Sequence, residues 1–293
     1  MRVFVTGASG HLGSAVVPEL LRAGHEVTCL ARSDASAATV TALGAQVHRG
    51  NLDDLDGLRQ AAQKVDAVIH LAFDHSGIAT GKFAEAVEAD HAVVQTFGEA
   101  LSGTGKAFFG IGSTGSDGPD RNAAINANPR AAVARTLAEF AEHDVRTVLF
   151  GIPPVTHSSL DRHGFVPRMI QIARETGISA YVGDNRWPAA HTLDVARLYA
   201  LALDKAPAGT ELVAAAEEGI PVREIAETIG RHLDLPVKGI STEQAAEHFA
   251  TFPFVGMDIT MPNAETRRLL GWEPTHPGLL DDLEEGHYFA AGR

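Results

Sequence analysis

Residues 1–13 read MRVFVTGASGHLG, and the rest of the chain is organised around them. Arg2 to Thr6 form a short apolar run of strand character. Gly7, Gly10 and Gly13 follow at the spacing G-x-x-G-x-x-G, and a helical pattern starts at once. A strand that passes through a tight glycine turn into a helix leaves unpaired amides and a positive dipole end at the turn, which is an anion site. Gly7 permits the turn, Gly10 lets the backbone approach a pyrophosphate, and Gly13 lets the helix sit close to the strand. The expected dinucleotide contacts here are Gly7, Ser9, Gly10, His11, Leu12 and Gly13.

The composition bounds the function class. With 293 residues, 45% of them hydrophobic, the chain can bury a large α/β core. Its formal charge of −13 argues against nucleic-acid or anionic-membrane partners. The single cysteine, Cys29, excludes an internal disulfide and fits a cytoplasmic location. No apolar run approaches the ~18 residues of a membrane span.

Strands and helices then alternate. Helix one is expected over about 11–23, with Pro18 inside it, and a strand over 25–31. That strand ends at Ala31-Arg32-Ser33, where a site for NAD usually carries an acidic side chain roughly 20 residues beyond the glycines. Arg32 instead offers a planar cation suited to a 2′-phosphate, so NADP(H) is preferred over NAD(H), with Arg32 and Ser33 at the ribose. Asn51 and Leu52, after a third strand, are candidates for the adenine edge and face, and Asp53 for a helix cap. The buried run 66–72 brings Leu71, Ala72 and Phe73 beside the cofactor, with Asp74 and His75 at the mouth. A long helix is expected over 82–101. The fifth strand, 106–111, exits at Gly112-Ser113-Thr114-Gly115, and a helix spans 128–143. The sixth strand, 145–150, leads through Pro153 and Pro154 to His157.

This pattern predicts an α/β fold: a Rossmann-like, doubly wound parallel sheet with a smaller, mainly helical C-terminal substrate cap. Residues 1–157 form the dinucleotide-binding domain, completed by about 190–215. The cap takes about 158–189 and 216–293.

Several stretches carry a resemblance: TGASGHLG (6–13), RGNLDD (49–54), VIHLA (68–72), GSTG (112–115), PPV (153–155), HTLDVA (191–196) and LLGWEP (269–274). Together they resemble the extended or atypical short-chain dehydrogenase/reductase superfamily, of epimerase/dehydratase type. The resemblance implies an oxidoreductase fold and a nicotinamide dinucleotide. It also implies a substrate-orienting hydroxyl at Ser113 or Thr114, and a homodimer paired through the helices near 82–101 and 128–143. It further implies a Tyr-x-x-x-Lys pair on the helix near 128–143. That pair is missing here: Ala131 and Arg135 occupy its positions, and the tyrosines are Tyr181, Tyr199 and Tyr288. Gly151 stands where the family has an arginine.

Arg135 could organise ribose hydroxyls but cannot donate a proton at neutral pH. Histidine is a chemically reasonable substitute for the tyrosine. His75, His157 and His163 fall in expected loops, where any one of them is by default a solvated side chain, and His157 has the best position. His191 and Asp194 read as structural. No Cys/His spacing suggests a metal site, and Ser113 lies in no esterase elbow.

The expected function is NADP(H)-dependent hydride transfer to or from a small carbonyl, hydroxyl, imine or activated alkene. The alternatives are a redox-sensing, partner-binding module and a sugar-nucleotide-type epimerase or dehydratase.

Overall fold

The computed structural model describes residues 1–75, 81–112, 129–250 and 252–290. The central sheet contains β1 (Arg2–Thr6), β2 (Glu26–Ala31), β3 (Gln46–Arg49), β4 (Ala67–His70), β5 (Ala107–Ile111), β6 (Arg146–Gly151) and β10 (Thr210–Val213). Its order is β3-β2-β1-β4-β5-β6-β10 and every pairing is parallel. The order reverses between β1 and β4. In such sheets the ligand crevice opens above the carboxyl ends of the strands at that reversal.

The two faces of the sheet follow the period of two. Val3, Val5, Phe109 and Phe150 point into one core, beneath α1 (Gly13–Arg22) and α7 (Thr192–Lys205). Phe4, Phe108 and Leu149 point into the other, with α3 (Leu55–Gln63), α4 (Phe83–Leu101) and α5 (Arg130–Glu139). α2 (Asp34–Ala42) links β2 to β3. Cys29 is buried in the first core, and burial pushes its thiol up to about 12, so it is a packing residue.

A third core belongs to the cap. It contains α6 (Phe165–Thr176), α8 (Val222–Leu233), α9 (Thr242–His248) and α11 (Leu279–Glu284). It also contains two small sheets: β7 (Val155–His157), β9 (Arg186–His191) and β11 (Glu217–Pro221) in one, β8 (Ser179–Val182) and β12 (Val237–Ile240) in the other. None of β7, β9 and β11 is among the strands expected from the sequence. β9 is buried on both faces from Trp187 to His191 and contains Pro188, so it shows neither alternation nor typical strand composition. α10 (Ala264–Leu270) returns the chain to the sheet, where Leu270 and Trp272 join the first core. The Trp272 indole donates to the Asp194 carbonyl at 3.0 Å, and Asp194 accepts from the Thr275 and His276 amides and from the His276 ring.

Among the described residues, no helix is long and apolar enough to cross a membrane.

Candidate functional site

The glycine turn is built backbone against backbone. Gly7 has φ +74°, and a Cβ there would lie 2.7 Å from the Ala72 nitrogen and 2.8 Å from the Leu71 carbonyl carbon. A Cβ on Gly13 would lie 2.2 Å from the Gly7 oxygen. Both positions therefore exclude any side chain. At Gly10 the nearest atom to a Cβ is the Gly7 oxygen at 3.2 Å, so its outer side is open, as a close-approaching ligand requires. The N-cap of α1 is Leu12, which supplies no side-chain hydrogen bond, and the first turn has no acidic residue. By contrast, Ser33 and Ser241 close capping boxes on α2 and α9. An uncapped helix start beside an open glycine is a cradle for a pyrophosphate. Ser9 and Gly10 are exposed on it, and His11 and Leu12 are half-buried.

The His11 side chain turns away from the turn toward the cap. Its Nε2 lies 3.0 Å from the Thr192 hydroxyl, which itself donates to the His157 carbonyl and accepts from Ser158. With that hydroxyl proton spent, His11 donates through Nε2. The Ser158 amide donates to the Tyr288 hydroxyl, and Tyr288 donates to Asp161. Asp161 also accepts from the Gly164 amide, and burial raises its pKa above the usual carboxylate range.

At the ribose end, Arg32 and Ser33 are exposed beyond β2. The Ser33 hydroxyl accepts from the Ser36 amide at 3.1 Å. Arg49, at the end of β3, donates to the Ser33 carbonyl at 2.7 Å and pairs with Asp34. Asp34 thus has its own cation, and a second arginine that the sequence reading did not single out flanks the same corner. Asn51 is exposed, and its Oδ1 accepts from the Asp53 and Asp54 amides, so that oxygen is spent on a local turn rather than on an adenine. Leu52 is half-buried against the second core. Asp54, not Asp53, caps α3, through Gly57.

Leu71, Ala72 and Phe73 are half-buried at the exit of β4, and Pro154 is half-buried after β6. Behind Ala72 runs a buried chain of hydrogen bonds. The Ala72 amide donates to the Thr6 hydroxyl, Thr6 lies 2.6 Å from His70 Nδ1, and His70 Nε2 lies 2.9 Å from Asp90. Thr6 donates to His70 and His70 donates to the carboxylate, which satisfies every group. Arg130, the first residue of α5, sits 3.7 Å from the other Asp90 oxygen, with its guanidinium 4.0 Å over the Phe73 ring. His75 packs edge-on against the same ring at 5.0 Å. Asp90 and Arg130 carried no signal in the sequence, because neither belongs to a spaced motif.

Ser113 and Thr114 lie outside the described residues. Arg135 is exposed on α5, one turn beyond the buried Ala131. His157 is fully buried: its Nδ1 lies 2.9 Å from Asp282, and its ring meets His191 edge-on. His163 is exposed. His191 caps α7 and stacks on His276; burial, then the neighbouring histidines, lower its pKa to about 4. Tyr199 is buried and stacked on Phe150, Tyr288 is held in the cap network, and Tyr181 lies on β8 beside Arg223. Among the described residues, Asp282, Glu285 and His287 offer ligand atoms within 4.8 Å of one another. Asp282 there already accepts from His157.

The comparisons agree with this architecture. Residues 3–215 match the model of the NAD dependent epimerase/dehydratase family. An uncharacterized protein of Schizosaccharomyces pombe is 41% identical over 99% of this chain and 100% of its own length. One of Saccharomyces cerevisiae is 36% identical over 98% of this chain and 99% of its own. The solved UDP-glucose 4-epimerase of Thermus thermophilus, in complex with NAD, is similar in fold. Its TM-score is 0.73, with 19% identity over 99% of this chain and all of that one. The glycine turn, the seven parallel strands and the family match together place the chain: it belongs to the NAD dependent epimerase/dehydratase family.

Proposed function

We propose that the protein is an NADP(H)-dependent oxidoreductase, transferring a hydride to or from a small carbonyl, hydroxyl, imine or activated alkene. One observation carries this reading. The Gly7 turn is closed against Leu71 and Ala72, and the adjacent α1 start is left uncapped, so a dinucleotide pyrophosphate fits where no side chain can. The bound cofactor supplies the hydride; the protein's share is to hold and orient both partners.

The glycine-turn amides would bind the pyrophosphate, and Leu71 to Phe73 and Pro154 would flank the cofactor. The NADP(H) preference rests on Arg32, with Arg49 neutralising Asp34 beside it. Ser113 or Thr114 would orient the substrate oxygen, and Arg135 would face the ribose. His157, buried against Asp282, is a positioning residue that fixes β7 to α11. The small molecule enters beneath the cap, and two copies pair through α4 and α5.

Calorimetric titration of wild type and Arg32→Ala with NADPH and NADH tests this. NADPH should bind more tightly than NADH in wild type. Removing a charged hydrogen bond should erase on the order of 1.5–3 kcal/mol of that preference. Tighter binding of NADH by wild type would reduce Arg32 to a surface residue. Binding of neither would remove the oxidoreductase reading.

A further inference from the structure

The end of β4 holds a cluster that the glycine turn does not explain. Phe73 is contacted by the Arg130 guanidinium on its face, and by His75 and Phe83 at its edges, at 5.0 and 5.9 Å for the two rings. Asp90 anchors Arg130 from behind and is itself anchored through His70 and Thr6 to the Ala72 amide. His75 is three residues beyond Ala72, whose backbone closes on the Gly7 turn, and so stands on the loop that leaves the turn. It is exposed at the mouth, where it can exchange protons with water. An aromatic ring covered by a guanidinium that is paired to a buried carboxylate is a fixed platform for a neighbouring imidazole.

We propose that His75 carries the proton of the hydride-transfer reaction, and that Arg130, held by Asp90 and stacked on Phe73, positions it. This rests on the oxidoreductase reading above. In the oxidative direction the neutral imidazole takes the proton from the substrate hydroxyl while the carbon gives its hydride to the oxidised nicotinamide, leaving a carbonyl and a reduced cofactor. In the reductive direction the hydride moves to the carbonyl carbon and the imidazolium gives its proton to the oxygen. Water then recharges the ring.

The charges facing His75 are Asp74 on its own segment, Asp90 on α4 and Arg130 on α5. Partial burial of the ring, then the Arg130 charge, hold its pKa below the ordinary imidazole value, and the two carboxylates oppose this. The ring is therefore neutral at pH 7 and suited to accept a proton. Oxidation should gain as pH rises through that pKa, and reduction should gain as pH falls through it.

The experiment compares full-length wild type, His75→Gln, Arg130→Gln and Arg130→Lys. Calorimetry with NADPH first establishes cofactor binding, which His75→Gln should leave within about twofold. Failure of wild type to bind would overturn the oxidoreductase reading itself. Turnover is then followed as NADPH oxidation with 9,10-phenanthrenequinone, benzaldehyde and a panel of small ketones. His75→Gln should lose on the order of 10²–10⁴-fold in kcat with little change in KM, and should lose the limb of the pH profile assigned to the imidazole. Histidine-selective ¹³C NMR gives a readout without substrate. The His75 resonance should titrate below the ordinary value in wild type, shift upward in Arg130→Gln, and return in Arg130→Lys. Full turnover by His75→Gln would overturn the proposal. So would wild type that binds NADPH yet reduces none of the probes, or a His75 titration indifferent to Arg130.

Discussion

The two ends of the crevice are built from different materials. At the glycine turn, backbone meets backbone: Gly7 against Leu71 and Ala72, Gly13 against the Gly7 carbonyl. A few steps away, the wall formed by Phe73, His75, Asp90 and Arg130 is assembled from side chains on the loop after β4, on α4 and on α5. A backbone-built site depends on the absence of side chains at fixed spacing, so it is written locally in the chain. A side-chain-built site depends on tertiary packing and leaves no local pattern. The first is shared across chemistries, and the second can change with substrate.

The largest expected effect falls on the side-chain wall. Asp90→Ala leaves Arg130 and His70 without their buried partner and should cost about 3 kcal/mol in urea unfolding. A cost below about 1 kcal/mol would mean that the chain from Thr6 to Arg130 is not a unit. Next comes the turn: Gly13→Ala drives a methyl into the Gly7 carbonyl and should cost about 1–3 kcal/mol while abolishing dinucleotide binding in calorimetry. Normal binding by this variant would break the claim that backbone contact defines the site.

Acid should separate the regions further. His191 is neutral in the fold, with a pKa of about 4, whereas the unfolded chain takes up that proton near ~6.5. Its contribution is thus present above ~6.5 and is lost as pH falls toward 4, on the order of 2 kcal/mol by pH 5. His191→Asn should flatten that part of the stability curve; an unchanged slope would place the acid sensitivity elsewhere. The smallest effect is expected at the exposed Arg135. Arg135→Ala should move stability by no more than ~0.5 kcal/mol while weakening dinucleotide binding a few-fold. Undiminished binding would remove it from the ribose end.

The same contrast explains how much was legible in the sequence. The order of strand, glycine turn and helix, the run 66–72 and the alternation through β6 locate the sheet and its crevice from spacing alone. The place of Arg32, exposed just beyond β2, is likewise readable, because it follows a strand at a set distance from the glycines. The turn made by the Asn51 oxygen was not legible, because an asparagine after a strand serves a local turn as readily as a ligand. β9 was missed because burial on both faces erases alternation. His157 looked promising by position, but its partner Asp282 lies 125 residues away, a distance no pattern spans. Arg130 follows a proline at a helix start and looks like any first-turn residue until Phe73 and Asp90 are placed beside it.

The central claim is that a dinucleotide binds on the glycine turn and the β4 exit. Amide hydrogen exchange with and without NADPH tests it most directly, because it reads the backbone itself. The account predicts slowed exchange at residues 9–13, 71–73 and 32–33 on saturation, with the outer strands of the cap unchanged. Unaltered exchange at residues 9–13 in the presence of saturating NADPH, or protection confined to the cap, would contradict it.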